Sequence, residues 1–111
     1  MILGRVVGEV WATRRHPRLR GMKLLIVAPR AWYDPPQQVG HLVAVDPVGA
    51  GVGEEVVVCV GEPARRAVLA AQPQAAPEVA AGDDWSGVLN LPIDAAIAAI
   101  VDRTDVAEGL L

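Results

Sequence analysis

Residues 45–58 read VDPVGAGVGEEVVV, so glycines at 49, 51 and 53 come after one apolar run and precede another. The use these glycines serve decides the fold. A phosphate-binding P-loop needs a lysine and a hydroxyl directly after its last glycine, to hold phosphate and magnesium. Here Gly53 precedes Glu54 and Glu55, whose carboxylates repel a phosphate. A dinucleotide fingerprint needs a helix whose N-terminus meets the pyrophosphate. The next residues are instead VVVCV, a β-branched run suited to a strand. The stretch therefore predicts a turn between two strands, using positive φ angles. The small residues Gly49-Ala50-Gly51 further suit a place where several backbones converge.

Reading outward from this turn gives mostly strands. Residues 40–46, GHLVAVD, and 55–60, EVVVCV, flank it. Upstream, residues 2–13 alternate, with Ile2, Gly4, Val6, Gly8, Val10 and Ala12 on one small apolar face. Residues 14–21, RRHPRLRG, form a polar turn, and 22–28, MKLLIVA, a strand apolar on both faces apart from Lys23. The prolines of residues 29–38 forbid regular pairing there. Downstream of Gly61, EPARRAVLAA fits a short helix with Pro63 in its first turn. Residues 72–88 show no period and are expected to be an irregular insertion off the core. Residues 90–102, NLPIDAAIAAIVD, fit a capped helix and a strand equally well, and periodicity does not separate the two. The tail at 104–111 is expected to be loose.

At 111 residues the chain is expected to be one domain. Its composition is 52% hydrophobic with no Phe, so its core is built from Val, Leu, Ile and Ala. A mean hydropathy of +0.32 is high for so small a domain and points to surface shared with other copies. The net charge of −3 supplies no global field for nucleic acid or an anionic membrane. The single cysteine, Cys59, permits no intrachain disulfide and points to a reducing, cytoplasmic setting. No basic-then-apolar signal segment opens the chain, and no apolar run reaches the roughly 20 residues of a membrane helix.

Candidate chemistry is sparse. Arg14, Arg15, Arg18, Arg20 and Lys23 hold half of the ten basic residues. Without the aromatic platform of single-strand binders, they are expected to be a solvated turn rather than a nucleic-acid site, with a partner-protein contact as the open alternative. His16 and His41 lack metal-ligand spacing. Cys59 lies in an apolar strand and is expected to be a buried structural thiol rather than a nucleophile. Asp46, Glu54, Glu55 and Asp94 could serve as acid and base, but nothing pairs them, and carboxylates at strand ends are usually solvated. The residues predict no catalytic, metal or cofactor site.

Several stretches, in order, resemble one family. GRVVGEVWATRRHPRLRGMKLLIV is similar to the opening of bacterial microcompartment vertex proteins of the EutN/CcmL type. VAVDPVGAGVGEEVVVCVGEPAR resembles their most specific motif, and LPIDAAIAAIVD their closing stretch. The matches span residues 2–102. The insertion from Gln72 to Val88, with Trp85, is longer than the link usual there, and the loop with Trp32 and Tyr33 is individual to this chain. The resemblance implies a mainly β fold: a small five-stranded OB-like barrel with one short helix, and a strand at residues 93–101. It implies a non-enzymatic protein, five copies of which close a vertex of a polyhedral shell beside hexameric or pseudohexameric shell proteins. Side chains would collide where one loop meets the axis five times over, so Gly49, Ala50 and Gly51 are expected to border a narrow axial pore. The alternative is an OB-like nucleic-acid-binding module, disfavoured by the acidic pI of about 5.2.

Overall fold

The computed structural model describes residues 1–30, 40–72 and 91–107. The element order is β1 (Ile2–Val10), a 3-10 turn (Pro17–Leu19), β2 (Lys23–Pro29), β3 (Leu42–Asp46), β4 (Glu55–Val60), α1 (Glu62–Ala71) and β5 (Ala95–Ile100). The five strands close into a barrel in the order β1-β2-β3-β5-β4, with β4 returning to β1. Neighbouring strands run antiparallel except β3 and β5, which meet in parallel at Val45 and Ala96. Closure leaves no open sheet edge, the edge being where a strand would template aggregation. The mainly β, OB-like barrel with one helix is the architecture expected. Apart from Gln72, the expected insertion at 72–88 lies outside the described residues, as do the loop of Trp32 and Tyr33 and the tail beyond Ala107.

Two apolar clusters hold the molecule together. Val6, Leu25, Val27, Ala44, Val56, Val58 and Ile97 fill the barrel. Burying side chains of this size contributes about 1.5–3 kcal/mol each. With no Phe to span the interior, the strands come close. A Cβ added at Gly4 would lie 2.6 Å from Val27 Cγ1 and 2.8 Å from the Ala28 carbonyl oxygen, so β1 and β2 require glycine at that point. The second cluster lies under α1, where Ala64 and Val68 meet Met22, Val45, Cys59, Leu91, Ile93 and Ala96. Gly61, at φ 72°, turns the chain into the helix, and its N–H donates to the Asp94 carbonyl at 2.7 Å. Arg65 Nε donates to the Leu91 carbonyl at 3.1 Å, tying the segment before β5 to the helix.

β5 explains its own ambiguity. Ala95 and Ile97 face the barrel interior, while Ala96 between them lies under the helix cluster. Both faces are covered, so no polar alternation marks the strand. Pairing with β4, from Val60↔Ala95 to Val56↔Ile100, makes residues 95–100 a strand, as the family resemblance implies.

The expected single apolar face of residues 2–12 needs correction. β1 ends at Val10, and its pairing with β2 shifts between Val6 and Gly8. Val7 is the extra residue of a bulge, half-exposed and unpaired, and the alternation changes phase across it. A constant period of two cannot survive such an insertion.

Candidate functional site

The glycine turn is held by hydrogen bonds at both of its ends. Asp46 ends β3 with only 5% of its surface exposed. Its Oδ1 accepts from the Val48 N–H at 3.0 Å and the Gly49 N–H at 2.9 Å. Its Oδ2 is buried without a hydrogen bond, 3.8 Å from Lys23 Nζ. That ammonium donates to the Ala50 carbonyl at 2.5 Å. At the far end Glu54 Oε1 accepts from the Gly51 N–H at 2.7 Å. The turn is then sewn to the bulged strand: Gly53 N–H donates to the Val6 carbonyl at 2.8 Å, and Val6 N–H to the Glu54 carbonyl at 2.9 Å.

Glycine is needed here for conformation at two of the three positions. Gly49 and Gly53 sit at φ of 95° and 93°, and Gly51 does not. The N–H groups of residues 48, 49, 51 and 53, the donors a phosphate cradle would offer, are all taken by groups of the chain itself. Electrostatics agree, because a buried carboxylate and Glu54 already occupy the loop. The turn is therefore self-satisfied, with no anion-binding capacity left in these donors.

Its side chains are sorted. Ala50 is 1% exposed, its methyl packed in the barrel cluster. A Cβ built at Gly49 would meet nothing within 4 Å, and at Gly51 only Glu54 Oε1 at 3.4 Å. Val48 and Val52 are exposed, Val52 at 65%. The three residues expected at the axis thus sit together, with Ala50 turned into the subunit and the two glycines presenting backbone outward.

The other candidates separate. Glu55 pairs with Arg30 at 2.7 Å, and Asp94 is exposed far along the chain at the entry to β5. Asp46 is not the solvated strand-end carboxylate expected; two backbone donors and a lysine offset its burial. The basic turn is not wholly solvated either. Arg15 Nη1 donates to the carbonyls of Leu19 at 3.2 Å and Met22 at 2.9 Å, and its Nε to Ala12 at 3.4 Å. Arg15 is the internal brace of that turn. His16 caps the 3-10 turn, its Nδ1 accepting from the Arg18 N–H at 3.2 Å. His41 is exposed. Cys59 is free and buried, its thiol donating to the Ala96 carbonyl at 3.4 Å. Among the described residues no cluster of three potential metal ligands exists, and no helix is long and apolar enough to cross a membrane.

Sequence reasoning missed Lys23, Asp46 and Glu54 as the clamps of this loop. A signal was present: an Asp just before a Pro-x-Gly turn, in the position from which Asx side chains bond backbone two and three residues on.

Comparison with known proteins agrees with the sequence motifs. The family described as "Ethanolamine utilisation protein EutN/carboxysome" matches residues 1–102. The chain is 37% identical over 105 residues to the bacterial microcompartment shell vertex protein GrpN of Rhodospirillum rubrum, covering 95% of this chain and 97% of that one. It is 35% identical over 111 residues to the carboxysome shell vertex protein CcmL of Synechocystis, covering 100% of this chain and 92% of that one. Among solved structures, the GrpN pentameric microcompartment shell protein of Rhodospirillum rubrum superposes with a TM-score of 0.65 at 33% identity, covering 96% of this chain and 98% of that one.

Proposed function

The chain belongs to the EutN/CcmL family, and we propose that it is a structural shell protein, not an enzyme, that closes the vertices of a polyhedral bacterial microcompartment as a cyclic pentamer. The observation that carries this is the likeness, in sequence along nearly the whole chain and in fold, to a pentameric shell protein. The whole chain acts as one vertex domain. Its neighbours in the shell are hexameric or pseudohexameric tiles, because fivefold units are what bend a six-coordinated layer into a closed solid.

The surface of the barrel suits this role. A cyclic ring uses two different patches of each copy, repeated by one rotation. Val7, at the bulge, and Val43 are exposed on the outer face of β1-β2-β3, with Gly8, Ile26 and Val43 aligned across the three strands. Apolar side chains in that position are what an interface between copies covers.

Gly49, Ala50 and Gly51 border the fivefold axis in this reading, around a narrow pore. Gly49 and Gly51 present no side chain outward, and the clamped loop holds its shape without help from a neighbour. Mass in solution tests the assembly: a closed ring weighs about 58 kDa, five times the 11.7 kDa subunit. A monomer at micromolar concentration, or a hexamer, refutes it. Gly51→Trp tests the pore, because five indoles at the axis block closure or narrow the channel; a ring with unchanged permeability places the loop elsewhere.

A further inference from the structure

Residues 11–22, between β1 and β2, carry four of the ten basic residues and none of the thirteen acidic ones. The four are all arginines, at 14, 15, 18 and 20, and no carboxylate occurs between Glu9 and Asp34. The chain as a whole has a net charge of −3, so this turn is a local reversal of its sign. Arg14 and Arg20 are exposed, and among the described residues no carboxylate pairs with either. His16 is exposed as well; its Nδ1 accepts from the Arg18 N–H, which leaves the neutral ring's proton on Nε2 as a further donor. Trp11 opens the turn with 83% of its surface in solvent. Val10 pairs with Leu24, so the two ends of the turn lie side by side and bring Trp11 to the Arg20–Met22 end. Glu9 is the one acid there, and Arg15 and Lys23 line the same depression, so it does not restore the negative sign.

A merely solvated turn needs no fixed shape, and this one has it. Besides the three carbonyls that Arg15 holds, the Leu19 N–H donates to the His16 carbonyl at 2.8 Å and the Met22 N–H to the Leu19 carbonyl at 3.1 Å. Gly21, at φ 73°, turns the chain into β2. Arg14 and Arg20 thus stand on a backbone already set, which lowers the entropy lost when a partner binds. Residue type points the same way. Solubility alone is served as well by lysine, whereas arginine's planar fork pairs with a carboxylate through two parallel N–H···O bonds. Trp and Arg are also the side chains most enriched at the energetic centres of protein interfaces.

We propose that the turn from Trp11 to Arg20 is a docking surface for a short acidic segment of a second, different protein, with carboxylates on Arg14 and Arg20 and an apolar side chain over Trp11. Charge favours a protein over a nucleic acid. A phosphate polymer would run past the turn onto a chain of net charge −3, whereas a few acidic residues touch the turn alone. Trp11 is the one aromatic side chain among the described residues, too few for successive bases to stack on. The contact makes no use of a neighbouring copy of this chain. Five subunits present it five times, so weak single contacts reinforce one another against a partner that itself repeats. Only that multiplication rests on the ring proposed above.

Fluorescence anisotropy on the whole protein tests this, with a labelled octapeptide of six glutamates and two leucines as the probe. The expected result is saturable binding at about 50 mM salt that weakens roughly fivefold by about 200 mM. Arg14→Gln with Arg20→Gln should weaken it about tenfold, and Trp11→Ser about threefold. Arg14→Lys with Arg20→Lys keeps the charge and loses the fork, so its effect should fall between none and that of the glutamine pair. Arg66→Gln with Arg103→Gln, which changes the net charge equally at other exposed positions, should leave binding within about twofold. No binding by the unsubstituted protein overturns the proposal. So do equal losses in the two glutamine pairs, which make the effect one of global charge, and tighter binding of an octathymidylate, which assigns the turn to nucleic acid. Mass in solution, measured on the same samples, separates this result from the ring. A monomer that binds the peptide keeps the docking surface and refutes the pentamer; a species of about 58 kDa that does not bind it does the reverse.

Discussion

Asp46→Ala is the most informative single change to the clamped turn. It removes an acceptor that takes two backbone N–H groups, at 2.9 and 3.0 Å, and the partner of the Lys23 ammonium at 3.8 Å. Hydrogen bonds to a charged group are worth about 1.5–3 kcal/mol each, though neighbours do not add fully. The ion pair would contribute about 4 kcal/mol at this separation with an effective dielectric near 20. Lys23 keeps 39% of its side chain in water, so screening cuts that to roughly 1–2 kcal/mol. Against this stands the cost of dehydrating Asp46, which the substitution relieves. The net expectation is a loss of about 3 kcal/mol. Asp46→Asn keeps the Oδ1 acceptor and loses only the charge, so it should cost about half as much. Lys23→Met leaves the carboxylate buried without its cation and should cost about 2 kcal/mol, and Lys23→Met combined with Asp46→Asn should be milder than the sum. The assay is urea denaturation followed by circular dichroism, at matched protein concentrations because assembly contributes to apparent stability. Asp46→Ala within about 0.5 kcal/mol of the unsubstituted protein, or strictly additive changes at Lys23 and Asp46, would show that the clamp is ornamental and that the turn is held by its ladder to Val6 alone.

Gly4→Ala should destabilise by about 2–4 kcal/mol in the same assay, since its Cβ would overlap Val27 and the backbone of Ala28; a neutral result would mean that β1 and β2 separate easily. Arg15→Lys should lower the melting temperature by several degrees, because an ammonium cannot reach the carbonyls of Ala12, Leu19 and Met22 as a planar fork does. Cys59 should react with a thiol reagent at least a hundredfold more slowly in the folded protein than in denaturant, and rapid native labelling would contradict its burial beneath α1.

What could be read in the chain and what could not divides along physical lines. β4 and α1 were legible because each has a run of one period with clear stops, the helix between Gly61 and residue 72 and the strand between Glu54 and Gly61. β5 was not legible from the residues, because Ala95-Ala96-Ile97 is buried on both faces and its apolar run fits a helix and a strand alike; only its likeness to known vertex proteins chose between them. The bulge at Val7 was invisible, since the pairing shifts between Val6 and Gly8, two small or apolar residues on which a shift leaves no mark. The glycine turn was identified correctly as a strand connection, and two of its glycines do take positive φ. Its carboxylates were misjudged because an acid beside glycines looks solvated until the backbone N–H groups that face it are located in space. Lys23 lies 23 residues before Asp46 and binds it only through the β2–β3 register, in which the two are paired. That kind of long-range partner is beyond any local pattern.

The bond from Arg65 to the Leu91 carbonyl has a consequence for how this protein can vary. Helix α1 ends at Ala71, and the chain is gripped again at Leu91, a residue buried in the helix cluster, by a side chain of the same helix. Departure and return are thus both anchored on α1, and nothing in the anchoring depends on how many residues intervene. The closure penalty of such a detour grows only as the logarithm of its length, roughly 0.6 kcal/mol for each doubling. The two anchors, Ala71 at the helix end and Leu91 under it, therefore form a joint at which a change in the number of intervening residues costs the barrel little, and an engineer can use it to graft a foreign peptide.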